Sequence, residues 1–154
     1  MERFRSRRPA RVEASRPRPA PGPRSRASAA LDHLTLAIRN SHDAGSTSNV
    51  RAVLAILAAF LDRLGRHEPA ATIAGYVLSP LTAATFPQIN TAIAHLREVL
   101  GDQTYESLAR NGESMTPAAV ATYAYDQIDQ ARTELNAVWS CAVPGFDDHQ
   151  QYDA

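Results

Sequence analysis

Residues 64–75 read LGRHEPAATIAG, and their glycine, proline and small alanines decide the fold. Gly65 follows an apolar run and is suited to the left-handed conformation that ends a helix. Four residues later, Pro69 has a fixed φ that suits the first turn of a new helix, where its missing N–H leaves no bond unmade. The stretch therefore predicts one helix ending and another beginning within a few residues, with Arg66 on the surface of the turn. Ala70, Ala71, Ala74 and Gly75 present almost no side chain, so the second helix is expected to lie close against the first.

Helical spacing extends outward in both directions. On the N-terminal side, Leu31, Leu34 and Ile38 recur at intervals of three and four, and a Gly/Ser/Thr/Asn loop over Asp43–Asn49 stops that helix. Next, Val50, Val53, Leu54, Leu57, Leu61 and Leu64 form a stripe that Ile56 and Phe60 widen, as expected of a helix packed on more than one side. Beyond the opening stretch, Pro80 and Pro87 are each placed to start a helix, and Ile89, Ile93, Leu96 and Leu100 follow the second. Gly101 ends it, Asp102 is expected to cap its successor, and Gly112 to close that one. Thr116-Pro117 is a cap followed by a first-turn proline, ahead of a last helix reaching about Trp139 with Val120, Ala124, Ile128, Ala131, Leu135 and Val138 inward. No segment alternates as a strand does. These patterns predict an all-α fold of five or six helices, arranged as antiparallel helix pairs.

Charge divides the chain. The totals balance at 16 arginines and 16 acids, yet residues 1–30 hold nine Arg and two acids while residues 31–154 hold seven and fourteen. Residues 1–26 contain five prolines and one large aliphatic side chain, Val12, so burial cannot offset their ordering entropy and a disordered Arg/Pro-rich tail is expected. Such an arm can bind phosphates without regard to sequence. Equally, Arg, Pro, Ala, Gly and Ser are what GC-rich codons yield in almost any frame, and only Phe4 offers a base-stacking surface. Residues 27–140 are expected to form the helical domain, and residues 141–154 a flexible closing tail.

Composition also excludes chemistry. Without a single lysine the chain has no phosphate-loop lysine, Schiff-base lysine or lysine general base. The lone cysteine, Cys141, can form neither an intramolecular disulfide nor a multi-cysteine zinc site, which suits a cytoplasmic location. No run approaches the roughly 18 apolar residues of a membrane span, and the N-terminus has no signal-like apolar core, so no membrane association is expected.

The remaining polar residues predict no catalytic, cofactor-binding or metal-binding site. Of the five histidines, His33 and His95 read as polar helix positions and His67 as a turn residue; none has a second His or Cys at the spacing of a two-ligand helical face. His42-Asp43 and Asp147-Asp148-His149 are neighbours in sequence, which rarely converge on one target. Asp126 and Asp129 share a helical face with Arg132 and read as a solvated stripe, while Tyr76, Tyr105, Tyr123 and Tyr125 read as packing residues. Residues 95–127 have the rhythm of a DNA-binding helix-turn-helix. The last helix nevertheless carries Asp126, Asp129 and Glu134 against Arg132 alone, the wrong balance for facing phosphates.

Taken in order, LDRLGRHEPAATIAG and INTAIAHLREVLGDQTYESLARNGESMTPAAVATYAYDQID resemble the C-terminal end of large actinobacterial signalling ATPases. These regulators join a class III nucleotide cyclase domain or a LuxR-type helix-turn-helix to an AAA-like ATPase and a tetratricopeptide-like helical region. The resemblance covers roughly residues 28–140. It rests on Leu64-Gly65-Arg66, on Leu96-Arg97-Glu98-Val99-Leu100-Gly101, on Gly112-Glu113-Ser114-Met115-Thr116 and on Ala121-Thr122-Tyr123-Ala124. It implies a tetratricopeptide-like scaffold, and no phosphate loop, cyclase aspartate or recognition helix is present onto which a functional residue could be carried. Together with the arginine tail it suggests a truncated or frame-disrupted fragment of such a gene. The expected function is a non-enzymatic helical scaffold that binds a protein partner or self-associates, with no specific nucleic acid and no cofactor. The alternative is a small DNA-binding transcriptional regulator using the arginine arm and the terminal helix.

Overall fold

A computed structural model of the protein describes residues 22–142, with side chains as far as Val138. The arginine-rich segment up to residue 21, the stretch 143–154 with Asp147, Asp148 and His149, and the Cys141 side chain lie outside the described residues. Among the described residues there are seven helices and no strand: α1 (Pro23–Asp43), α2 (Thr47–Arg63), α3 (His67–Val77), α4 (Pro80–Thr85), α5 (Pro87–Leu100), α6 (Asp102–Glu113) and α7 (Pro117–Ala142). The fold is all-α. Helix α1 begins four residues before the expected boundary at residue 27, with Pro23 in its first turn. Helix α7 runs two residues into the expected closing tail. Seven helices exceed the expected five or six; the shortest, the six-residue α4, starts at Pro80 as expected and is capped by Ser79, whose Oγ accepts the Thr82 N–H at 3.1 Å.

The opening turn forms as its residues dictate. Gly65 takes φ +78°, its N–H donates to the Asp62 carbonyl at 3.0 Å, and the Arg66 N–H donates to the Leu61 carbonyl at 2.9 Å. These two bonds satisfy the last carbonyls of α2 in the crossed pattern that a left-handed glycine permits. The same pattern recurs at Gly45, where Gly45 N–H reaches His42 and Ser46 N–H reaches Ser41. That turn is so tight that α2 begins at Thr47, inside the loop expected to run to Asn49.

Helix α3 is the middle of the molecule. Every residue from Ala70 to Val77 is buried, and α3 packs on α2, α5, α6 and α7. Its small residues serve two neighbours, and the closest approach is to α6 rather than to α2: a β-carbon on Gly75 would overlap the Ala109 backbone. Gly112 does not end α6 either. It lies inside that helix, buried against the α3 backbone at Thr72. Asp102 does not cap α6: the cap position falls on Gly101, Asp102 is the first helical residue, and its carboxylate accepts from Arg97 at 3.0 Å instead.

The apolar stripes fill the core largely as spaced. Leu31, Leu34 and Ile38 of α1, Val50, Leu54, Leu57 and Leu61 of α2, Ile89 and Leu96 of α5, and Val120, Ala124, Ile128 and Ala131 of α7 are buried. Ile56 and Val138 are exposed instead. Ala55 and Ala58 take the second buried face of α2, and Val138 lies in the last turns of α7, beyond Ala131, the last buried residue of that helix among the described residues. Helix α1 touches both α2 and α7, so the first and last helices meet. Arg132 of α7 reinforces that contact through Asp32 of α1 at 2.6 Å.

Candidate functional site

The most concentrated polar chemistry lies where α2, α3 and α5 meet, and it centres on Asp62. A carboxylate in the last turn of α2 faces the negative end of that helix's dipole, and Asp62 is also only 8 % exposed. Two imidazoles supply what the position lacks. The Gly65 turn brings His67, the first residue of α3, back over the end of α2, with its Nδ1 3.1 Å from Asp62 Oδ1. His95, one turn and a half before the end of α5, places its Nδ1 2.8 Å from Oδ1 and 3.0 Å from Oδ2. The rings stand edge to face with centroids 5.5 Å apart. Each Nδ1–H donates to the carboxylate, so Asp62 is satisfied by two donors from two other helices.

The cluster opens onto a cleft of about 610 Å³ with Gln88, Thr91 and Arg63 at its edge and the small, buried Ala59 and Ala92 in its wall. Those two alanines let α2 and α5 come close enough for His95 to reach Asp62. His67 is therefore more than a turn residue, and His95 more than a polar helix position. Neither pairing has a local sequence signature: Asp62 and His67 are joined only through the glycine turn, and His95 lies 33 residues from Asp62. The one legible signal is Asp62 itself, an acid in the last turn of a helix, where the dipole disfavours it.

Among the described residues, the other polar residues singled out in the sequence do not converge on this site. His33 is exposed on α1, and His42 and Asp43 face solvent with Nδ1 and Oδ1 3.8 Å apart. Asp126 and Asp129 are exposed, and Asp129 pairs with Arg132 at 2.9 Å as a surface stripe does. Tyr76 and Tyr105 are buried and Tyr123 and Tyr125 half-buried against the core, so all four pack as expected. Arg66 departs from its expected place. Its side chain is 13 % exposed, and its guanidinium donates to the Gln127 backbone carbonyl and to Gln130 Oε1, both at 2.7 Å, which ties the α2–α3 turn to α7. Between α5 and α6, Arg97 bonds Asp102 at 3.0 Å and Glu106 at 2.5 Å, and stacks over the Tyr105 ring at 4.5 Å. These carboxylates hold the Arg97 charge more firmly than usual, Glu106 contributing most.

A second concavity, of about 630 Å³, is lined by Arg51, Ala52, Tyr76, Leu81, Thr85 and Phe86 among others. It is the more apolar of the two. Leu81 on its rim is 77 % exposed and the neighbouring Leu78 is 44 % exposed. Arg51 stacks over the Tyr76 ring at 5.1 Å, and no carboxylate among the described residues pairs with it.

Comparison with known protein families, with curated proteins and with solved structures finds no match.

Proposed function

We propose that the protein acts as a non-catalytic helical scaffold that receives a partner helix in the groove between α2 and α4. The observation that carries this reading is Leu81, a large aliphatic side chain left 77 % exposed beside Tyr76, Phe86 and Arg51, which pairs with no carboxylate among the described residues. An apolar groove with one cation at its edge fits an amphipathic helix whose apolar anchors recur every three or four residues and whose flank carries an acid. Such a role agrees with the tetratricopeptide-like helical ends of ATPase-type transcriptional or cyclase-linked regulators that the motifs resemble. In those, stacked helix pairs present surface to a partner.

The DNA-binding alternative has less support. Arg132 is the only cation on the described part of α7 and is already paired with Asp32 and Asp129, leaving acids on that helix to face phosphates. No described helix is long and apolar enough to cross a membrane.

Selection from a displayed library of random helical peptides tests the scaffold reading. The expected winners carry apolar anchors at helical spacing and an Asp or Glu on one flank. Their binding should fall at least tenfold with Leu81→Asp, and with Arg51→Glu should recover when the peptide acid is exchanged for Arg. Peptides that bind equally well to both variants would place the interaction elsewhere and remove the support for this groove.

A further inference from the structure

We propose that Asp62, His67 and His95 form a binding site for a divalent transition-metal ion of the zinc class, which fastens α2, α3 and α5 together. Three elements separated in sequence each bring one donor, and the three ligand atoms lie within 4.8 Å of one another. Two imidazole nitrogens and one carboxylate oxygen suit zinc and its neighbours, whereas magnesium and calcium prefer all-oxygen sets.

The two distances from Asp62 suit an ion as well as they suit direct hydrogen bonds. Donors each about 2.1 Å from a common metal lie roughly 2.9–3.4 Å apart at octahedral to tetrahedral angles. The Asp62 Oδ1 to Nδ1 separations are 2.8 Å for His95 and 3.1 Å for His67, close to that range, while the three donors together lie within 4.8 Å, so an ion draws the two imidazoles inward around the carboxylate. Both histidines direct Nδ1 at the carboxylate, and this is the atom that would ligate. The ring proton then moves to Nε2 and no proton is lost from a neutral imidazole, while the Nδ1 lone pair goes to the metal.

Electrostatics favour the exchange. The dipole of α2 aims its negative end at the site, and Asp62, 8 % exposed, is a buried carboxylate for which a dication is a stronger partner than two imidazole N–H groups. Arg63 at the cleft edge opposes a cation, but it is exposed and water screens it. Three protein donors leave at least one position of a tetrahedral ion for water from the cleft.

Calorimetric titration of the full, chelator-stripped chain with zinc chloride is the test. One zinc ion per chain is expected, with a rise in melting temperature as zinc is added. His67→Gln and His95→Gln should each weaken binding tenfold or more, about 1.4 kcal/mol, while His33→Gln leaves it unchanged. Circular dichroism checks that the variants keep their helices; His95, half-exposed, is the substitution the fold tolerates best. Nitrogen-15 spectra of histidine-labelled wild-type protein give a second readout that needs no variant: Nδ1 of two histidines should shift on adding one equivalent of zinc. Absence of binding, affinity unchanged in both glutamine variants, or Nδ1 signals that do not move would each overturn the site.

Discussion

The carbonyl oxygen of Thr72 in α3 occupies the space that a β-carbon on Gly112 of α6 would need. Gly75 and Ala109 repeat the relationship in the opposite direction, Gly75 of α3 meeting the backbone of α6. Two helices thus touch backbone to backbone at two points, which makes this the most demanding interface of the fold and explains why both positions lack a side chain. Since neither backbone can yield without moving a whole helix, Gly112→Ala should cost at least ~3 kcal/mol, the upper end of the overpacking range. Urea unfolding followed by circular dichroism measures it. A loss below about 1 kcal/mol would mean that the helices separate easily.

Gly65 is required for a different reason. At φ +78° it has nothing within 4 Å of where its β-carbon would stand, so only the backbone conformation opposes a side chain. Gly65→Ala should therefore cost roughly 1–2 kcal/mol and Gly65→Val at least as much, whereas Gly65→Asn should be the mildest, since asparagine tolerates the left-handed region. At Gly112 the order reverses with size, Asn being worse than Ala. The same unfolding series on both glycines checks the crossover.

Arg66 anchors the turn that Gly65 makes. Its two bonds at 2.7 Å to Gln127 and Gln130 hold the end of α2 against α7, and Glu134 adds an ion pair at 3.7 Å. Charge-assisted hydrogen bonds of this kind contribute about 1–2 kcal/mol when half-buried, so Arg66→Ala should destabilise by that amount. Arg110, exposed on α6, serves as the comparison, and Arg110→Ala should stay within about ±0.5 kcal/mol. Equal effects of the two substitutions would demote Arg66 to an ordinary surface residue.

The sequence made some of this legible and hid the rest for identifiable reasons. Gly65 and Gly101 were readable as helix stops because their neighbours on both sides were periodic, and both have positive φ. Gly112 gives the same local impression, a glycine near the end of an apolar-periodic stretch, yet its reason lies across space in Thr72. A stop and a contact look alike until the partner helix is placed. Arg66 reads as a turn residue for the same cause, since Gln127 and Gln130 are 61 and 64 residues away. The cluster at Asp62 is the extreme case: its two histidines are unremarkable where they stand, and only the docking of α5 on α2 through Ala59 and Ala92 brings His95 to the carboxylate.

Tyr105 gives a pH-dependent expectation. Its side chain is buried, its hydroxyl has no hydrogen-bond partner among the described residues, and burial raises its pKa above the usual tyrosine value, the nearby Arg97 opposing only in part. A raised folded-state pKa means that the native protein keeps this proton when the unfolded chain has lost it. The stabilisation is thus whole below pH ~10 and declines as pH rises from there towards the folded-state value. Tyr105→Phe should remove that alkaline decline, and near neutral pH it should be neutral or stabilising by up to ~1 kcal/mol, because an unbonded buried hydroxyl is lost. Unfolding curves for both proteins at neutral and alkaline pH decide it; parallel loss of stability in the two would assign the alkaline effect to other groups.

Nucleic-acid binding separates the scaffold reading from its rival. Residues 1–21 hold seven arginines and two acids, an excess of +5, whereas the described part of α7 offers phosphates only Arg132, already paired with Asp32 and Asp129. Affinity for duplex DNA should therefore depend on the N-terminal arginines alone. Neutralising about five phosphates gives a slope near −4.5 in log affinity against log salt, a loss of roughly 500-fold between about 50 and 200 mM. Deleting residues 1–21 leaves α1 to α7 whole and should abolish the binding, and before deletion random and operator-like duplexes should compete equally, since phosphate contacts carry no sequence information. Base-edge contacts from a recognition helix behave otherwise: they survive removal of the arm and keep their preference at higher salt. Discrimination of tenfold or more by residues 22–154, about 1.4 kcal/mol, would replace the scaffold with a DNA-reading α7.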